Sequence, residues 1–153
     1  MRPIRFTGKS SHKLDAKGRI AVPARFKTVL DLHESEGLVI TVMSADNHLV
    51  AYPFDVWSKL EETIINYPKQ SDFFRRFRTE FIGNSQDCML DSQNRILIPP
   101  SLRAMVGIDK DIIMIGSLDH FIILSESQEI ANKQLLKEDF QKEENREILA
   151  EIF

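Results

Sequence analysis

Asp15 and Arg19 stand four residues apart in the chain, and Asp91 and Arg95 repeat the arrangement. A carboxylate beside a guanidinium at this spacing closes a short loop. It also orients the guanidinium as a fixed fork, suited to a phosphate or to the edge of a guanine. Around the first pair lie Lys13, Lys17 and His12; around the second lie Met89 and Gln93. If these loops meet a polyanion, the first copy should dominate. Catalytic chemistry finds no comparable foothold. His12, His33, His48 and His120 are not at metal-ligand spacing, and neither a glycine-rich phosphate loop nor a Gly-x-Ser-x-Gly turn occurs. His48 and His120 follow Asn47 and Asp119 at an offset of 72. They read as equivalent structural positions beside a turn, and an enzyme, a metal site or a cofactor is not expected.

The loops belong to a longer repeat. Leu14-Asp15-Ala16-Lys17-Gly18-Arg19-Ile20-Ala21-Val22-Pro23 returns 76 residues later as Leu90-Asp91-Ser92-Gln93-Asn94-Arg95-Ile96-Leu97-Ile98-Pro99. Such an internal repeat constrains the architecture before any single element does. Asp15-Ala16-Lys17-Gly18 has type I turn chemistry, with Asp first and Gly last. Asn94 replaces Gly18 in the second copy, and Asn is the other residue that tolerates the left-handed conformation. Each copy predicts a hairpin, a short helix opened by proline, and a second hairpin. The strands are near Ser11–Leu14, Arg19–Val22, Leu38–Met43 and His48–Tyr52, then Cys88–Leu90, Arg95–Ile98, Ile112–Ile115 and His120–Leu124. The helices are Ala24–Leu30 and Pro100–Val106. Gly37 reads as a break in the chain, and Gly107 as the glycine that follows a helix end.

Between the copies, Phe54, Trp57, Leu60 and Ile64 recur at helical spacing. Beyond Pro68, Phe73, Phe74, Phe77 and Phe81 form a second apolar stripe, read as core. Ser125-Glu126-Ser127-Gln128 is a capping-box pattern opening one long, mostly polar helix.

The 153 residues carry a net charge of −3, with 42% hydrophobic and 28% charged residues. The distribution matters more than the total. Residues 1–27 hold Arg2, Arg5, Lys9, Lys13, Lys17, Arg19, Arg25 and Lys27 against Asp15 alone, whereas residues 125–153 hold eight acids and four bases. Concentrated positive charge is the footprint of polyanion binding. The apolar runs are too short for a membrane span, and no apolar stretch follows the N-terminal charges as in a secretory leader. With Cys88 as the single cysteine, read as a core filler, a reducing cytoplasm is expected.

The motif Leu-Asp-x-Lys-Gly-Arg-Ile-x-Val-Pro, followed by Phe26 and basic residues, resembles the SpoVT-AbrB type of DNA-binding repeat. Its duplication, with a helical connector containing Phe74-Arg75-Arg76, resembles the MraZ family of transcriptional regulators over about residues 6–124. The resemblance implies an α+β fold of two pseudo-symmetric AbrB-like β-α-β halves sharing one small mixed-sheet core. It divides the chain into repeat 1 (6–53), a helical connector (54–82), repeat 2 (83–125) and an acidic C-terminal helix (126–153). It also implies a ring-shaped homo-oligomer on the nucleoid that binds double-stranded DNA at direct repeats and represses the division and cell wall gene cluster. No membrane or small-molecule partner is expected. The DNA-contacting set would be Lys13, Asp15, Lys17, Gly18, Arg19 and Arg95. The alternative is an AbrB-like protein-binding module of antitoxin type or a division-associated partner binder.

Overall fold

The computed structural model describes residues 2–153. In chain order the elements are β1 (Lys9–Lys13), β2 (Arg19–Ala21), α1 (Ala24–Leu32), β3 (Gly37–Met43), β4 (His48–Pro53), α2 (Phe54–Ile65) and α3 (Asp72–Gly83). They continue with β5 (Gln86–Met89), β6 (Arg95–Leu97), α4 (Pro100–Met105), β7 (Asp111–Gly116), β8 (Phe121–Ser125), α5 (Glu126–Asp139) and α6 (Glu143–Ile152). The fold is α+β with two repeated halves, as the sequence predicts. Six strands form one sheet in the order β1-β7-β8-β4-β3-β5, and β2 and β6 form a separate two-stranded ribbon. Every ladder among these strands is antiparallel, where a mixed sheet was expected.

The pairing also departs from the expected hairpins around the repeated loop. β1 pairs with β7 and β5 pairs with β3, so neither pairs with the strand that follows it. β2 pairs instead with β6 from the other half, Ile20 opposite Ile96. The local turns still form: the Asp15 amide donates to the Arg19 carbonyl, and the Asp91 amide to the Arg95 carbonyl. Beyond them the strands diverge. Each half keeps its β3–β4 or β7–β8 hairpin but lends its remaining strands to its partner. The reason is burial, since crossing over places Ile20 and Ile96 back to back in a shared core.

Alternation along the central strands sorts the apolar residues into two layers. Leu38, Ile40, Val42, Leu49, Ala51, Met114 and Phe121 face the ribbon, α1 and α4. Phe6, Phe26 and Phe121 meet there with ring centroids 4.9–5.3 Å apart. Val39, Val50 and Ile122 face the other way and pack with Trp57, Ile64 and Phe81 of α2 and α3. The connector stripe therefore forms a second core, with one exception. Phe73 is 74% exposed and stacks only on the edge of that layer, against Phe77.

Gly37 does not break the chain. It begins β3 opposite Met89, and a Cβ there would lie 2.6 Å from the Cys88 carbonyl oxygen. Gly107 follows α4 with φ +67°, as expected. The single C-terminal helix is two helices, α5 and α6, parted at 140–142. Asn145 Nδ2 donates to the Asp139 carbonyl and Arg146 Nε to the Phe140 carbonyl, so side chains of α6 satisfy the open end of α5. Ser125 caps α5 by accepting the Gln128 amide at 3.1 Å. Buried Glu129 anchors that helix, 3.0 Å from Lys9 of β1 and 3.1 Å from Lys133. His48 and His120 are not level. The ladders place Met43 opposite His48 but Gly116 opposite Phe121, so His120 lies in the turn and stacks on Tyr52 at 4.6 Å.

Candidate nucleic-acid interface

The two Asp–Arg loops have the same hydrogen-bond pattern atom for atom. Asp15 Oδ1 accepts the amides of Lys17 and Arg19, both at 2.9 Å, and Oδ2 accepts Arg19 Nε at 2.8 Å. Asp91 Oδ1 accepts the amides of Gln93 at 2.8 Å and Arg95 at 2.9 Å, and Oδ2 accepts Arg95 Nε at 2.9 Å. The turn residue is left-handed in both: Gly18 at φ +84° and Asn94 at φ +57°. The Arg19 amide first, then its guanidinium and the Lys17 amide, hold the Asp15 carboxyl below the usual carboxylate range; Asp91 is lowered in the same way, the Arg95 amide first. Both carboxylates are thus charged and both guanidinium groups are tethered by Nε, which leaves their Nη atoms outside this bond, on side chains that stay partly exposed.

The ribbon decides where they point. Ile20 and Ile96 are buried, so their neighbours in the ladder, Arg19, Ala21, Arg95 and Leu97, occupy the opposite, outer face. Arg19 lies opposite Leu97, and Arg95 opposite Ala21. The two arginines are therefore diagonal neighbours on one outward surface, although they come from different repeats. Ala21 is exposed and Leu97 is 49% exposed, so the surface between them is low and open.

The remaining predicted residues fall unequally. Lys17 is exposed on the first loop. Lys13 ends β1 beside that loop, with Nζ 4.0 Å from Asp111, a contact between two exposed side chains that is weak by its geometry. Of the other N-terminal bases, Lys9 belongs to Glu129, Lys27 pairs with Asp31, and Arg25 Nε donates to the Thr7 carbonyl. The basic segment is thus partly internal structure. One nearby base escapes motif reading. Arg103, from α4 of the second repeat, lies over Gly18 of the first, so close that a Cβ on Gly18 would sit 2.9 Å from its Nη2. A signal for it exists, because the offset of 76 maps Arg103 onto Lys27, so both copies carry a base at that helix position.

Interleaved halves, each with an Asp–Arg loop on a shared ribbon, define a two-repeat AbrB-like protein. Comparison with known proteins agrees. A family model described as "MraZ protein, putative antitoxin-like" matches residues 5–79 and 81–151. The chain is 40% identical over 147 residues to the transcriptional regulator MraZ of Desulforapulum autotrophicum, covering 96% of this chain and 98% of the relative. It is 38% identical over 139 residues to that of Desulfosudis oleivorans, covering 91% and 92%. For Syntrophobacter fumaroxidans the figures are 39% over 137 residues, covering 90% of each chain. The chain belongs to the MraZ family of transcriptional regulators, which is not a class of enzymes.

Proposed function

We propose that the chain regulates transcription by binding double-stranded DNA through the outer face of the β2–β6 ribbon. The observation that carries this reading is the placement of Arg19 and Arg95 on one outward surface, each tethered through Nε by its own aspartate. Diagonal partners across an antiparallel pair lie about 7–8 Å apart. That matches roughly two base steps of about 3.4 Å. The DNA major groove is about 12 Å wide and admits a two-stranded ribbon. Lys17 and Lys13 would contact phosphate beside the first loop, Gly18 keeps that loop compact, and Asp15 fixes Arg19. Arg95 joins from the second repeat, with Gln93 in place of the lysine.

One subunit supplies few cationic contacts, so the proposed working form is a ring-shaped homo-oligomer that sets identical ribbons along direct repeats. Linking sites in this way raises effective concentration without new contact types. The site of action would be the nucleoid, and the effect repression of the division and cell wall gene cluster. The test is a gel shift on the upstream region of the chain's own gene, titrated against salt, with Arg19→Ala and Arg95→Ala in parallel. Specific binding should be lost in Arg19→Ala and weakened in Arg95→Ala with the oligomer intact. Unchanged affinity in both would remove the ribbon from the interface.

A second reading, a protein-binding module of antitoxin or division-associated type, has one feature in its favour. Ile130, Leu135, Leu136, Ile148 and Ile152 of α5 and α6 are all more than half exposed. Retention of protein-partner binding after deletion of residues 126–153 would count against it.

A further inference from the structure

We infer that Arg103 is a phosphate-contacting residue of the DNA interface, supplied by the second repeat to the loop of the first. The inference rests on the ribbon reading and extends it. Three observations carry it. Arg103 Nε donates to the Ile98 carbonyl at 3.2 Å, while the Ile98 amide donates to the Gly18 carbonyl at 3.1 Å. One residue thus holds both the guanidinium and the loop. The Nη side of Arg103 lies over Gly18, between Lys17 and Arg19 in sequence, and Gly18 is buried beneath it.

The second observation concerns charge. Arg19 is neutralised by Asp15 and Arg95 by Asp91, so each pair is directional but adds no net charge to the surface. Among the described residues no carboxylate lies within ion-pair distance of Arg103, and its tether is a neutral carbonyl. Arg103 and Lys17, with Lys13 at the end of β1, therefore provide the net positive charge beside the first loop. Groups of that kind drive counterion release, whereas a carboxylate-oriented fork suits a base edge.

The third observation is asymmetry. The repeat counterpart of Arg103 is Lys27, whose charge is taken up by Asp31 within α1. Lys27 is thus engaged within its own helix, whereas Arg103 is held only through a neutral carbonyl beside Gly18. The first loop grips the backbone and reads, while the second only reads, so each subunit has a polarity along DNA that suits direct repeats.

The experiment measures affinity of the full-length protein for the upstream duplex and for a scrambled duplex of equal length, across a range of KCl concentrations. Arg103→Gln should weaken both duplexes by the same factor and lower the salt slope by about 0.9 for each engaged subunit. The preference between duplexes and the melting temperature should stay as in the wild type, and Arg103→Lys should restore the slope. Arg19→Ala, run beside them, should instead collapse the preference. An Arg103→Gln protein with the wild-type slope, or one that loses only preference, overturns the assignment and leaves the ribbon reading standing. Failure of the wild type to bind either duplex overturns both.

Discussion

Ile20 and Ile96 face each other across the β2–β6 ribbon, and they are also the same position of the two repeats, 76 residues apart. The pseudo-twofold relation of the halves therefore passes through this pair. Both side chains are buried, at 2% and 0% exposure, in the core shared by the halves. Ile20→Ala should cost about 2–5 kcal/mol, the usual range for deleting a buried branched side chain. Ile96→Ala should cost a similar amount, as read from urea midpoints.

Separated halves should not fold. A fragment 1–82 loses β6 as partner of β2, β7 as partner of β1 and β5 as partner of β3. It should show little near-ultraviolet circular dichroism alone, and recover it when mixed with 83–153. A folded isolated fragment would contradict the interleaved pairing.

Gly37→Ala is expected to destabilise the chain by about 1–3 kcal/mol, since the added methyl meets the Cys88 carbonyl oxygen and backbone of Met89. Gly83→Ala, where a Cβ meets nothing within 4 Å, is the control and should change the melting temperature little.

Phe81→Ala should cost about 3–5 kcal/mol because the ring is buried against Trp57 and Phe77. Phe73→Ser should cost little, since most of that ring is in solvent. Thermal melts of the two variants separate the buried part of the aromatic stripe from its exposed end.

Burial first, with Asp87 nearby, pushes the Cys88 thiol up to about 11. At pH 8 about one molecule in a thousand carries the thiolate. Iodoacetamide should label the native protein very slowly and the urea-unfolded protein at the ordinary rate.

Acidification should weaken the fold in two windows. Burial, opposed by Asp46, lowers the His48 pKa, so the unfolded chain takes up its proton first as pH falls below about 6.5. Stability declines from there until the folded imidazole also titrates, and His48→Gln should abolish that part. Asp15, Asp91 and Glu129 have lowered pKa values. Their contribution is present above the unfolded values near 4 and is lost as pH falls through the folded ones. Asp15→Asn and Asp91→Asn should flatten the lower window in urea midpoints taken from pH 7 to pH 3.

By itself the sequence determined the repeat, the turn chemistry of Asp15-to-Arg19 and Asp91-to-Arg95, the proline-opened helices and the apolar periodicity of the connector. Apart from the repeat, which is legible by comparing the chain with itself, these are local: each depends on residues within about five positions, where backbone preference and side-chain hydrogen bonds act without distant partners. Tertiary structure alone decided which strands pair. A strand of three residues with one buried isoleucine has no local preference for its neighbour, so β2 joins β6 where burial is greatest. From that exchange follow the shared outer face of Arg19 and Arg95, the seat of Arg103 over Gly18, and the need for Gly37. Each depends on contacts between residues about 50 to 85 positions apart, which spacing in the chain does not encode.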